Sequence, residues 1–220
     1  MIKLIRKIKN HTFLRKANYW QDQKYLESSE FKYIIWLYEV YKKIDKVPGH
    51  IVELGVAYGR NTIIFSHFMK MYNQDDVRKY VGFDTFDGYT ADSFKFDSHL
   101  SVKAWKGISV KDVENRIKKA GDFKNYSLIK GDLNLTLAKY VKENPNFRVA
   151  LLYIDCNAYQ PALNGMQLLK DFMSPGGIIC IDEKMQGGET RALIQFCKEN
   201  NLRFMRDSGP FSIPAYTKID

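Results

Sequence analysis

Cysteine is scarce in this chain of 220 residues, and long apolar runs are missing. The three cysteines, Cys156, Cys180 and Cys197, are odd in number and show no metal-type spacing. They fit a reducing compartment better than a disulfide framework. No run approaches the roughly 18 apolar residues that a membrane span needs. The basic N-terminus lacks a clean apolar core and a small-residue cleavage site, which argues against a secretory signal. Internal repeats and low-complexity linkers are also absent. The composition that remains is globular, 45% hydrophobic, 14% aromatic and 27% charged, which argues against a largely disordered or fibrous protein. The length suggests one domain with a terminal appendage, ample for a core without disulfide or zinc staples.

The formal net charge of +9 is unevenly placed. Lys3, Arg6, Lys7, Lys9, Arg15 and Lys16 lie within the first 20 residues, where there is no acid. The remainder is close to balance, which weakens the case for a broad nucleic-acid-binding face. Ile2, Leu4, Ile5, Ile8 and Leu14 offer this arm one short apolar face. It reads as a membrane-surface helix drawn to anionic lipid, or as a solvated arm or a helix packing on a partner subunit.

After the arm, Phe31, Ile34, Ile35, Tyr38 and Tyr41 recur at helical spacing over residues 22–45. Val47-Pro48-Gly49 then stops the helix. Beyond it, apolar runs at 51–54, 80–83, 126–129, 149–154 and 177–181 read as buried strands. Helical periods at 61–72, 110–120, 133–143, 161–172 and 190–200 alternate with them. This alternation implies an α/β fold, a mainly parallel sheet covered by helices on both faces. Two further strands are expected at 202–205 and 211–218. The division expected is an arm and helix at 1–46, followed by a domain at 47–220. Residues 87–108 break the alternation and carry Tyr89, Phe94, Phe96, His99 and Trp105. Such a stretch reads as a lid over a substrate or as a mobile surface insertion.

In an open α/β sheet, ligands bind at the carboxyl ends of the strands, so those ends carry the chemistry. The first ends in Glu53-Leu54-Gly55-Val56-Ala57-Tyr58-Gly59-Arg60-Asn61-Thr62, a turn that lets a ligand approach the backbone. It is neither a P-loop nor a complete G-x-G-x-x-G. Asp84, after the second strand, is placed to accept from ribose hydroxyls. Asp132, after the third, is placed near an adenine amino group. The fourth and fifth strands end in Asp155-Cys156-Asn157 and Asp182-Glu183. Three converging carboxylates are hard oxygen ligands that suit Mg²⁺. The simpler alternative is that they cap the following helices.

These residues resemble a family. Residues 48–56 followed by Gly59 look like the first motif of class I S-adenosylmethionine-dependent methyltransferases. More narrowly, they resemble the macrocin O-methyltransferases, which act on sugars of macrolides and aminocoumarins. Gly82-Phe83-Asp84-Thr85-Phe86-Asp87-Gly88 is similar to that family's Phe-Asp-Ser-Phe-Glu-Gly. Gly131-Asp132 with Thr136-Leu137, and Ser174-Pro175-Gly176-Gly177 with Asp182-Glu183, resemble two later motifs.

The resemblance implies a Rossmann-like fold with a seven-stranded sheet, S-adenosylmethionine as methyl donor, and a divalent metal, usually Mg²⁺. It assigns Glu53, Gly55, Ala57, Tyr58, Gly59, Asn61 and Thr62 to the methionine part. Asp84, Thr85 and Phe86 fall to the ribose, and Asp132 and Leu133 to the adenine. Asp155, Asp182 and Glu183 fall to the metal, with Asp155 also at the catalytic centre. Two positions depart from the pattern. Asn157 stands where the family has a general-base aspartate, and Glu183 replaces an aspartate. With an amide in place of the base, water beside a metal-bound hydroxyl or the lid's His99 would take the proton, or catalysis is lost.

The function expected is O-methylation of a sugar hydroxyl on a nucleotide sugar, glycan or glycosylated metabolite. The alternatives are a catalytically silent glycan-binding or assembly module, and a catechol-type O-methyltransferase. The expected setting is a cytoplasmic homo-oligomer, with weak contact to the inner membrane surface through the arm and no nucleic-acid partner.

Overall fold

The computed structural model describes residues 28–183, 187–207 and 215–220. The basic arm lies outside the described residues, and so does the first part of the expected strand at 211–218. The chain divides into two compact units, Met1–Trp36 and Leu37–Asp220. The division falls within helix α1, Ser28–Ile44.

Of the residues that the periodicity picks out on α1, Tyr41 is buried and Tyr38 half-buried, but the buried stripe as a whole is shifted round the helix. Leu37, Val40, Tyr41 and Ile44 are buried, whereas Phe31, Ile34 and Ile35 remain exposed. Both stripes have i, i+3, i+4, i+7 spacing, so periodicity alone does not choose between them. In the second unit Tyr41 meets the ring of Phe68 and gives its hydroxyl to Gln74 Oε1 at 2.6 Å.

The alternation of strands and helices is as the sequence implies. In order come β1 (His50–Leu54), α2 (Arg60–Met71), β2 (Tyr80–Asp84), α3 (Ala91–Phe96), α4 (Val110–Ala120) and β3 (Tyr126–Lys130). They are followed by α5 (Leu133–Glu143), β4 (Val149–Ile154), α6 (Tyr159–Leu169), a 3-10 turn at Lys170–Phe172, β5 (Met173–Ile181), α7 (Gly188–Glu199) and β6 (Tyr216–Lys218).

Among the described residues the sheet has six strands in the order β3-β2-β1-β4-β5-β6. The first five are parallel, and β6 runs antiparallel to β5. Where a seventh strand was expected, 202–205 makes a single bridge, Met205 to Tyr216. The Leu202 N–H is spent on the Cys197 carbonyl at the end of α7. Leu202 and Phe204 pack on the core rather than extending a ladder.

All six β4 residues are buried, because helices cover both faces of the sheet. On one face Val52, Leu54, Leu152 and Ile154 join a core with α5, α6 and α7. On the other, Phe65 of α2 packs on the rings of Tyr80 and Tyr153. Strand order reverses between β1 and β4. This opens a crevice at their carboxyl ends, where such sheets bind ligands.

The 87–108 segment is more ordered than its pattern implies. Helix α3 has only six residues, too few for a periodicity to show. The segment's two ends are joined by Ile108 N–H to Phe86 O at 3.0 Å. Its far side is clasped to the helices by Asp97, which is buried. Asp97 accepts the Tyr159 N–H at 2.7 Å, at the start of α6, and Arg191 of α7 at 2.5 Å.

Candidate active site

A cavity of about 100 Å³, open to solvent, sits at this crevice, where sheets of this kind bind ligands. Its floor begins at the β1–α2 turn. Gly55 holds φ +96°, and a Cβ there would run into the backbone carbonyl of Asp155. Only glycine takes that position without strain, so the turn lies directly against the end of β4.

Asp84 fixes the same turn from the other side. Its Oδ2 accepts the N–H groups of Val56 and Ala57 at 2.7 and 2.8 Å, and its Oδ1 accepts Phe86 N–H at 2.6 Å. A carboxylate offers about four acceptor directions; the Thr85 hydroxyl lies 3.4 Å from Oδ1 but is closer to Gly88 O, at 2.6 Å, and with its one proton given there the fourth direction is left for a ligand hydroxyl. Asp132 caps α5 through Asn134 N–H at 2.9 Å. Asp84, Thr85, Asp132 and Leu133 all line the cavity, at the end that suits an adenosine.

At the other end are Asp155, Cys156 and Asn157, which also line it. Asn157 holds φ +56°, in the left-handed region that asparagine tolerates better than most residues. Its backbone N–H donates to Oε1 of Glu189 at 2.5 Å. No sequence motif marks Glu189 as a site residue. It is fully buried, and its Oε2 has no partner among the described residues. Burial first, and then the charge of Asp155, holds its carboxyl well above the usual range.

Burial, followed by the neighbouring charge of Asp182, does the same to Asp155. Glu53 is also raised, by burial and then by Asp155. The Asn61 amide connects these groups, donating to Glu53 Oε1 at 2.7 Å and to Asp155 Oδ2 at 3.3 Å. Tyr80 gives its hydroxyl to the other Glu53 oxygen.

Of the residues read from sequence, the cavity gathers Gly55, Ala57, Asp84, Thr85, Asp132, Leu133, Asp155 and Asn157. Glu53, Asn61 and Thr62 are buried behind it. Gly59 and Phe86 are buried too, Gly59 against Val113 of α4. Tyr58 lies outside, exposed beneath the Arg116 guanidinium. His99 is exposed and does not line the cavity, because the lid turns inward at Asp97 instead. The lid does send Tyr89, Thr90, Ser93 and Trp105 to the cavity wall.

The three acids read as metal ligands do not converge. Glu183 Oε2 accepts Thr190 N–H at 3.0 Å and so caps α7. Among the described residues, no group of three or more His, Cys, Asp and Glu side chains is arranged to hold a metal. What remains is a pair, Asp155 and Asp182, at adjacent strand ends and electrostatically opposed. Such a pair fits an ion that keeps most of its water, as Mg²⁺ does with one or two carboxylates.

The comparisons agree with this architecture. CalS11, a calicheamicin methyltransferase, superposes with a TM-score of 0.74 at 20% identity, covering 90% of this chain and 83% of its own. An apo structure of CalS11, described as a TDP-rhamnose 3'-O-methyltransferase, gives 0.69 at 24% identity, covering 90% and 84%. At these identities the likeness shows the fold, that of class I methyltransferases. A curated relative from Streptomyces olivaceus is 8-demethyl-8-(2,3-dimethoxy-alpha-L-rhamnosyl)-tetracenomycin-C 4'-O-methyltransferase, 26% identical over 146 residues. That match covers 63% of this chain and 54% of the relative, so the chain spans about half of its length. The model of the macrocin O-methyltransferase (TylF) family matches residues 37–205, which takes in the sheet's five parallel strands and the whole cavity. The chain therefore belongs to the macrocin O-methyltransferase family.

Proposed function

We propose that this protein transfers a methyl group from S-adenosylmethionine to a hydroxyl of a sugar, carried on a nucleotide or a glycosylated metabolite. One observation carries the reading. A single cavity at the sheet's switch point joins an adenosine-suited end, Asp84 and Asp132, to an acidic end, Asp155 and Asn157. The names of the similar proteins, a rhamnosyl-tetracenomycin methyltransferase and a TDP-rhamnose methyltransferase, support a deoxysugar acceptor.

The residues act mainly by positioning. Gly55 and Ala57 let the donor approach the backbone, and Asp84 both shapes that turn and meets the ribose. Asp132 and Leu133 close on the base. Asn157 presents an amide toward the acceptor, fixing it without taking its proton. Holding an oxygen in line with the methyl carbon can lower a barrier by several kcal/mol, about 7 or more in well-oriented systems. Asp155 and Asp182 would hold a magnesium ion through two carboxylates. Such an ion, when bound, makes the acceptor hydroxyl more acidic.

The experiment is a calorimetric titration with S-adenosylhomocysteine (SAH) in the presence of Mg²⁺, repeated with EDTA. Micromolar binding is the expected result. No binding by folded, product-free protein sinks the donor assignment. Methyl transfer to TDP-rhamnose that is unchanged by EDTA removes the magnesium.

A further inference from the structure

Two aromatic residues of the 87–108 segment, Tyr89 and Trp105, line the cavity and are given no role in holding the donor. Trp105 has φ +61°, a left-handed conformation uncommon for a bulky side chain. It is 44% exposed, yet it lines the cavity. Backbone outliers held by their surroundings cluster at ligand clamps. Trp105 is held in that way. Gly107 N–H reaches Asp87 Oδ1 at 3.3 Å, and Ile108 N–H reaches Phe86 O, so both ends of the lid are joined around it.

The consequence of this conformation is a hydrogen bond, from the indole Nε1–H to the hydroxyl of Tyr89 at 3.1 Å. Tyr89 lines the cavity as well. Its oxygen accepts from Trp105, and its own O–H proton goes to no acceptor among the described residues. A hydroxyl that already accepts one bond is polarised into a stronger donor.

Tyr89 shares the cavity wall with Asp155, Cys156 and Asn157, and the ionisable groups that act on its phenol lie at that acidic end. They are Cys156, Glu189 and Asp155, at the end of β4 and the start of α7. Burial above all, with those three groups, holds the phenol above its usual pKa, although the Trp105 bond pulls the other way. Tyr89 therefore keeps its proton at neutral pH, as a donor and not a base.

We propose that Tyr89, oriented by Trp105, donates its hydroxyl proton in a hydrogen bond to an oxygen of the acceptor sugar, and so helps select acceptors. This rests on the sugar-methylation reading above. Asn157 and Tyr89 would then grip the acceptor from the sheet and from the lid, neither of them taking its proton.

The test uses the full chain, TDP-rhamnose as acceptor probe and SAH as donor-site probe, by calorimetry. Tyr89→Phe keeps the ring and removes only the donor. Trp105→Phe keeps an aromatic side chain and removes the orienting N–H together with part of the indole ring. Both should bind SAH as the unaltered protein does. Tyr89→Phe should bind TDP-rhamnose, with SAH present, about 5- to 10-fold more weakly, the size of one neutral hydrogen bond. Trp105→Phe should fall between. A merely structural role would weaken both ligands together, and that outcome overturns the proposal. So does unchanged sugar affinity in Tyr89→Phe. If the unaltered protein binds SAH and not TDP-rhamnose, the acceptor assignment for Tyr89 is overturned. Failure to bind SAH at all sinks the donor reading, which is a separate result.

Discussion

Glu189 and Asn157, 32 residues apart, are joined by a 2.5 Å bond from the Asn157 N–H to the Glu189 carboxylate. The bond pins the start of α7 beneath the turn after β4. The approach is close, since a Cβ on Gly188 would lie 2.9 Å from the carbonyl carbon of Ala158 in that turn. The cost is a buried acid with one oxygen unpartnered.

That cost depends on pH. Glu53, Asp155 and Glu189 all hold their protons above the usual carboxylate range. The unfolded chain releases them near the ordinary values of 3.8 to 4.5. Above that range the unfolded state binds fewer protons, so stability falls as pH rises toward the raised values. Glu189→Gln keeps an acceptor for Asn157 and removes one of these groups. At pH 8 its melting temperature should rise by about 2–4 °C, corresponding to about 1 kcal/mol, and little at pH 4. Parallel pH profiles for the two proteins would count against the linkage.

Asp97 is the lid's clasp, bonded to Tyr159 N–H and Arg191. Asp97→Ala should cost about 2 kcal/mol, chiefly by leaving the Tyr159 amide without its partner. Limited proteolysis should then cut within 87–108 faster than in the unaltered protein. Asp97→Asn, which keeps an acceptor, should behave between the two. Equal cleavage rates in all three would show that the clasp does not hold the lid.

Gly55→Ala places a methyl group against the Asp155 carbonyl at φ +96°. The strain should cost about 1–3 kcal/mol or more, and SAH affinity should drop sharply, because the donor's cradle shifts with it. A melting curve and a titration measure the two effects. Normal affinity in the variant would mean that the donor does not use this turn.

Asn157→Asp restores an acid where the family has one. Methyl transfer to the true acceptor should be retained or increased, with its pH profile shifted by the new carboxyl. A large loss measured by initial rates would instead give the Asn157 amide a specific task, such as holding a sugar hydroxyl.

The strands and long helices could be read from the sequence because continuous apolar runs and 3.6-residue periods are local signals. The strand-end rule likewise located Asp84, Asp132 and Asp155 at one cavity. Glu189 was hidden for a physical reason. An acid in the first turn of a helix reads as a partner of the helix dipole, and only the packing of α7 on the β4 turn buries it. Glu183 shows the converse, since a ligand-like position in sequence proves to be a helix cap. In residues 87–108, aromatic content left a cover and a mobile insertion both open, and the strained φ that turns Trp105 toward Tyr89 leaves no local pattern.

The sheet order also shapes the protein's birth. β1 pairs with β2 on one side and with β4 on the other, where Ile51 meets Leu151. A ribosome making about 5–20 residues per second delivers that second neighbour roughly 5–20 s after the first strand emerges. Through that interval the Val52 and Leu54 strand has only half of its eventual pairing. Its apolar edge is then open to mispairing or to a chaperone. Substitutions in β4 that slow its docking should therefore lower the yield of soluble protein more than they lower the stability of molecules already folded.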